Sequence, residues 1–293
     1  MATGLLLIDK PSGPTSHAVV AAVRRGTREK RAGHTGTLDP LATGLLVVCL
    51  GAATRLSEYL LEKDKHYRAR VRFGATTDTY DAAGTVTATS PARPERAEVE
   101  AALAQWRGPL LQRPPAYSAL KQAGQRAYDL ARRGEIVSLE PRPVVIHALT
   151  LSAWAPPECE LDVHCSAGTY IRSLAHDLGQ ALGCGAHLAG LRRTASGPFQ
   201  VDAAVGLDAF QADCAAGAWT RWLRPMDAAV PDWPAVYLSE RDAQRVQHGN
   251  GVPLTASAAG LARAYNPAGE FVAILRADPN RGEWRPEKVL AGP

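Results

Sequence analysis

At 293 residues, with 46% hydrophobic and 21% charged side chains, the chain can bury one large core plus a smaller one, which excludes disordered and fibrous classes. No window approaches 18 uncharged apolar residues, and the apolar run Leu5-Leu6-Leu7-Ile8 is too short and too early for a signal peptide, so a cytoplasmic protein is expected. The formal charge of +4 is compatible with a polyanionic partner without requiring one.

The run at 5–8 reads as a buried strand, closed by Lys10-Pro11-Ser12-Gly13-Pro14, where two prolines and a glycine forbid continuation. Ser16 is placed to cap a helix running to about Arg25. Residues 31–43, rich in glycine, threonine and proline, lack either period and read as a loop before the apolar strand 45–50. A helix is expected over 53–61. Residues 66–73 alternate with period two, as a half-exposed strand whose arginines share one face should. An amphipathic helix at 95–106 precedes a basic insertion at about 113–143, which holds six Lys/Arg against three Asp/Glu between Arg113 and Arg142. A strand follows at 161–166, then a helix at 170–182 stopped by Gly183, and Arg192-Arg193 lies in a strand-like run. Arg224-Pro225, Val230-Pro231 and Trp233-Pro234 mark the best domain boundary, dividing the chain into 1–231 and a small β-rich module at 232–293. The overall class is mixed α+β, with no internal repeat or low-complexity tract.

Five cysteines without a C-x-x-C pair indicate neither a disulfide framework nor a zinc ribbon. The histidines, including His164 beside Cys165, lack metal spacing, so no metal is assigned.

The most informative stretch is Gly33-His34-Thr35-Gly36-Thr37-Leu38-Asp39-Pro40-Leu41-Ala42-Thr43-Gly44-Leu45-Leu46. Its glycines and proline force a defined loop that sets one carboxylate, Asp39, at the entrance of a buried strand. Physics alone leaves a bland alternative, because Asp before Pro commonly just closes a turn.

This stretch resembles the catalytic motif of the bacterial TruB family of tRNA pseudouridine synthases. Further segments match in the family's order: Asp9-Lys10-Pro11-Ser12-Gly13 with Thr15-Ser16, Lys65-His66-Tyr67-Arg68, and Gly168-Thr169-Tyr170-Ile171-Arg172, continuing through Gly183-Cys184-Gly185-Ala186-His187 to Leu191-Arg192-Arg193. The resemblance covers 4 to about 200. It implies a pseudouridine synthase fold, with a central mixed, mainly antiparallel sheet flanked by helices and a PUA-like RNA-binding C-terminal domain. It also implies isomerisation of uridine 55 in the T loop of tRNA. By the same resemblance Asp39 is the essential aspartate, Tyr67 packs on the target uracil, Arg172 pairs with the aspartate and keeps it ionised, and Tyr170 and Leu191 complete the pocket. His34 would fill the space left by the extruded base, and Lys10 joins the RNA-binding residues. The basic insertion, with Lys121, Arg126 and Arg132, resembles the family's RNA-gripping loop. No cofactor, metal, membrane or obligatory protein partner is implied, and a monomer acting on the T arm of tRNA is expected.

The chemistry suits these residue types. The N1–C1′ bond must break, the uracil must turn, and C5 must bond to C1′ without loss of the base; a carboxylate can stabilise the electron-poor sugar carbon. Taken singly, Tyr67 could be sheet packing, Arg172 a helix-surface charge, Leu191 core and His34 a solvated turn residue. Two rivals stay open: a non-catalytic tRNA-binding or folding protein on the same fold, and a nucleoside-processing glycosidase, which would need a second carboxylate set for water activation. A guide-RNA-dependent relative would be expected to carry long basic extensions. The C-terminal module carries seven basic and seven acidic residues from Asp232 onward, a balance that argues against strong RNA binding there.

Overall fold

The computed structural model describes residues 2–118, 121, 122, 125, 126, 133, 135, 139–254 and 259–290. Its strands are β1 (Gly4–Lys10), β2 (Ala32–His34), β3 (Thr43–Leu50), β4 (Lys65–Phe73), β5 (Ala75–Thr77), β6 (Val86–Thr89), β7 (Gly108–Gln112), β8 (Lys121–Gln122), β9 (Gln125–Arg126), β10 (Arg142–Ala155), β11 (Glu158–Cys165), β12 (Ala186–Ser196), β13 (Phe199–Gln200), β14 (Val205–Gly206), β15 (Ala235–Tyr237), β16 (Val252–Pro253), β17 (Leu261–Tyr265), β18 (Phe271–Asp278) and β19 (Glu283–Val289). The helices are α1 (Ser16–Thr27), α2 (Ser57–Leu61), α3 (Arg96–Leu103), α4 (Ile171–Ala181), α5 (Leu207–Ala215) and α6 (Glu240–Gln247).

The strands of the large sheet run β14-β1-β3-β12-β4-β11-β10-β7, with β2 added on β3 and β13 on β12. All contacts along this path are antiparallel except β1 with β14 and β3 with β12. The expected mixed, mainly antiparallel sheet is therefore present. A five-stranded sheet, β15-β17-β18-β19-β16, forms the β-rich C-terminal part.

Period-two alternation explains how two cores form on one strand. Leu5 and Leu7 of β1 face a cluster with Leu45, Val47 and Phe199, while Leu6 and Ile8 face Val19, Val23 and Phe210 of the two helices α1 and α5. The first of these clusters also takes Tyr265, Phe271 and Ile274 from the C-terminal sheet and Leu290 just after it, so the two parts share one apolar core. In β4, Ala69, Val71 and Phe73 turn inward onto Ile171, Leu174 and Leu178 of α4, leaving Arg68, Arg70 and Arg72 exposed on the other face.

Several local expectations need correction. The loop at 31–43 contains β2, whose three residues pair with Val48, Cys49 and Leu50. The helix expected at 53–61 is a 3₁₀ turn at Gly51–Leu56 followed by the short α2. The cap of α1 is Thr15, whose hydroxyl accepts from the Ala18 amide at 3.0 Å; Ser16 is turned inward instead. The hairpin of β10 with β11 begins well before the strand read at 161–166.

A close backbone approach marks the pairing of β3 with β12. Gly44 has φ +98°, and a Cβ there would lie 2.3 Å from the carbonyl oxygen of Arg193. Gly44→Ala is expected to lower stability by about 3 kcal/mol, through left-handed strain plus the clash. A urea unfolding midpoint within error of the unsubstituted chain would refute this close-approach argument.

Candidate active site

A cavity of about 600 Å³ opens where the Gly36-to-Asp39 loop, the start of β4 and the N-terminal end of α4 converge. Asp39, Tyr67, Tyr170, Arg172 and Leu191 all line it, so the structure brings together five residues singled out from widely separated segments.

The centre is an ion pair: Arg172 Nε lies 2.9 Å from Asp39 Oδ2. Arg172 is buried in the first turn of α4, and its guanidinium is held from every side. Its Nη1 donates to the Thr79 carbonyl at 3.2 Å, its Nη2 donates to the Tyr117 carbonyl at 2.9 Å, and Asp81 Oδ2 stands 3.8 Å from Nη1. The fork geometry of arginine allows these contacts and the Asp39 contact at once. Burial pushes the Asp39 carboxyl above the ordinary carboxylate range, Arg172 pulls it back, Asp81 adds to the rise and Lys10 opposes it. The net direction is upward. The guanidinium thus offsets only part of the desolvation, where the sequence reading has it simply keeping Asp39 ionised.

The loop carrying Asp39 is held from beneath by buried donors. Ser16 Oγ accepts from the Leu38 amide at 2.7 Å and donates to the Leu38 carbonyl at 2.9 Å. Lys10 is fully buried, and its ammonium donates to the carbonyls of Pro11 at 2.9 Å, Pro40 at 3.3 Å and Ala42 at 2.6 Å. Arg193 donates to the carbonyls of Leu45 at 2.7 Å and Gly36 at 3.0 Å. Lys65 donates to the carbonyls of Leu60 and Leu61 at 3.2 and 2.7 Å. Burial lowers both lysines to about 8. Lys10, expected from the sequence among the RNA-binding residues, has its ammonium occupied by three backbone carbonyls and fixes the aspartate loop.

Tyr67 sits on β4 between Val163 and Arg193. Its ring packs against the α4 core, and its hydroxyl, bonded to Arg193, is raised above its usual pKa chiefly by burial. Tyr170 precedes α4, and its backbone is clamped by Gln112. The Tyr170 amide donates to Gln112 Oε1 at 2.7 Å, and Gln112 Nε2 donates to the Tyr170 carbonyl at 3.0 Å. Sequence reasoning missed Gln112 and Asp81. The Gly84 turn of Thr77-Asp78-Thr79-Tyr80-Asp81-Ala82-Ala83-Gly84 is the signal that could have drawn attention to Asp81.

His34 ends β2 beside the loop but does not line the cavity; burial first, then Arg193 and His17, lower its pKa. Lys121 and Arg126 pair across the small β8–β9 ladder, and Arg132 lies outside the described residues. Asp64, His147 and His164, far apart in sequence, gather their ligand atoms within 4.8 Å of one another. Among the described residues no helix is long and apolar enough to cross a membrane.

Lys10→Met removes the donor for three loop carbonyls. Stability is expected to fall by about 2 kcal/mol, read as a lower urea midpoint at unchanged slope. An unchanged midpoint would mean that the loop holds itself.

Residues 24–171 match the TruB family pseudouridylate synthase N-terminal domain, 172–231 the tRNA pseudouridylate synthase B C-terminal domain, and 233–291 the tRNA pseudouridine synthase II C-terminal domain. The tRNA pseudouridine synthase B of Thiobacillus denitrificans is 46% identical over 288 residues, covering 98% of this chain and 96% of that protein. That of Stutzerimonas stutzeri is 46% identical over 278 residues, covering 93% of this chain and 90% of that protein. Among solved structures, a Cbf5-Nop10-Gar1 complex matches with TM-score 0.75 and 28% identity over 99% of this chain and 85% of that chain. An H/ACA RNP bound to a substrate RNA containing 2′-deoxyuridine matches with TM-score 0.74 and 26% identity, over 98% and 85% respectively.

Proposed function

This chain belongs to the TruB family and is a tRNA pseudouridine synthase, and on that premise we propose that it isomerises uridine 55 in the T loop of tRNA with Asp39 as the reacting carboxylate. The observation that carries this is that, among the described residues, Asp39 is the one carboxylate lining a nucleoside-sized cavity, pinned at 2.9 Å by a buried guanidinium.

A uridine inside a folded T loop must leave its stack before its glycosidic bond is reachable. The Tyr67 ring offers the flipped uracil a flat apolar face, worth about 1–3 kcal/mol of stacking. Arg172 orients Asp39 toward C1′, and Tyr170 and Leu191 bound the base. The N1–C1′ bond breaks, the uracil turns within the cavity, C5 bonds to C1′, and the C5 proton is lost while N1 gains one. Attack at C1′, addition at C6 and removal of the C2′ proton all start from the ionised carboxylate.

The glycosidase alternative asks for a second carboxylate facing the same space. Asp81 also contacts Arg172, at 3.8 Å, but it does not line the cavity: it is 5% exposed, with Oδ1 taken by the Thr79 hydroxyl at 2.6 Å and the Ala83 amide at 3.0 Å. That arrangement favours retention of the base over its hydrolytic release.

We take 1–231 as the catalytic domain and 232–293 as an RNA-binding module. In support, the last strand of the large sheet ends at Gly206 and the C-terminal sheet starts at Ala235. Lys121, Arg126 and Arg132 then contribute phosphate contacts to the T arm, and the protein works as a cytoplasmic monomer, without an obligatory protein partner.

Asp39→Asn keeps the loop's shape and removes the charge, so mapping of pseudouridine in treated tRNA is expected to show none at position 55 while tRNA still binds. Activity within tenfold of the unsubstituted enzyme would overturn the assignment. For the native enzyme, the raised Asp39 pKa means that the reactive form is lost as pH falls through a value above the ordinary 3.8. The acid limb of the single-turnover rate should lie above that point, and a limb at or below it would contradict the desolvated carboxylate.

Tyr67→Phe keeps the platform and should bind tRNA normally, whereas Tyr67→Leu should lose roughly tenfold or more in single-turnover rate. Equal, native rates for the Leu variant would assign Tyr67 to sheet packing alone.

A further inference from the structure

On the face of the large sheet opposite the α4 core, three strands converge on a cluster that the isomerisation does not use. His164 of β11 stands directly across from His66 of β4, and their rings stack at 3.9 Å with planes 13° apart. His147 lies at an irregularity of β10, where the register slips between Ile146 and Ala148. Such a bulge re-aims a side chain, and here the His147 ring comes within 4.7 Å of the His164 ring. Asp64, at the entrance of β4, completes the group. Its backbone is anchored by the Gly197 amide, which donates to the Asp64 carbonyl at 2.9 Å.

We propose that Asp64, His147 and His164 form a binding site for a divalent transition metal of the zinc class, joining β4, β10 and β11 at the rim of the catalytic sheet. His147 Nε2 lies 3.3 Å from Asp64 Oδ1, and His164 Nε2 lies 3.4 Å from Asp64 Oδ2. Ligand atoms placed about 2.0–2.1 Å from a tetrahedral zinc ion are themselves about 3.3–3.4 Å apart. Each histidine thus already stands near that spacing from one oxygen of Asp64, and the ligand atoms of all three residues lie within 4.8 Å of one another. Two imidazoles and one carboxylate select zinc-like ions over magnesium or calcium, which prefer all-oxygen shells. The stacked His66 ring packs flat on His164 and limits its rotation. His147, His164 and Asp64 have side chains 37%, 32% and 47% accessible, so an ion and a water ligand can reach the site.

Asp64 and His66 flank Lys65, and Lys65 and Tyr67 line the catalytic cavity from the other face of β4. Metal here is therefore a staple for the strand that presents Tyr67, with no role at the reacting atoms.

The test is calorimetric titration of zinc chloride into the tag-free, chelator-stripped full chain, with magnesium chloride as the parallel probe. One zinc per chain is expected, with no response to magnesium. His147→Ala and Asp64→Asn are each expected to weaken zinc binding by at least tenfold. At free zinc about 100 times the dissociation constant, the thermal midpoint of the unsubstituted chain should rise by about 5 °C, and this rise should vanish in both variants. Zinc binding of equal affinity in the variants, no saturable binding, or binding without a midpoint shift would each overturn the proposal. The last two outcomes would leave the three groups as a histidine–carboxylate hydrogen-bond network. Because pseudouridine mapping is a separate readout, failure here does not touch the assigned reaction.

Discussion

The contact between Arg172 and Asp39 is the one on which the site depends. A carboxylate in a cavity deep enough to take a base loses much of its hydration, and this pushes its pKa up unless a nearby cation compensates. Arg172 supplies that compensation, and it can do so because its remaining donors are anchored on Thr79 and Tyr117 while Asp81 balances its charge. Two acids contact the Arg172 guanidinium, and of these only Asp39 lines the cavity.

The surroundings are built to keep that geometry fixed. Lys10, Lys65 and Arg193 are buried cations whose donors go to backbone carbonyls around the cavity, in the aspartate loop, the end of α2 and the start of β3. Burying an ammonium is costly, and both lysines are pushed down to about 8 as a result. A loop rich in glycine would otherwise be free to move, and a displacement of about 1 Å at the reacting group is enough to cost a hundredfold in rate. The stored positive charge has a second consequence: it makes the cavity floor attractive to a phosphate-bearing substrate.

Much of this was legible in the chain. The apolar runs gave β1 and β3, period two gave β4 with its exposed arginines, and the helix signals gave α1 and α4. The glycine-rich segment around Asp39, with the segments holding Tyr67, Tyr170, Arg172 and Leu191, marked the cavity lining because each carries a local motif. What stayed hidden depends on partners distant in sequence. Ser16 looks like a helix cap until Leu38, 22 residues on, takes its hydroxyl. Lys10 looks like a surface cation until Pro40 and Ala42 close over it. Gln112 clamps Tyr170 from 58 residues away, and His147 meets Asp64 only because a bulge turns it. Such pairings arise from register, and no local pattern encodes them.

The site depends on a desolvated carboxylate held toward its reactive form by the Arg172 guanidinium. Carbon-13 NMR titration of the Asp39 carboxyl in the native chain and in Arg172→Met tests this directly. With the variant shown to be folded, its Asp39 pKa should climb well above the already raised native value. An Asp39 pKa that does not move when the guanidinium is removed would contradict the account.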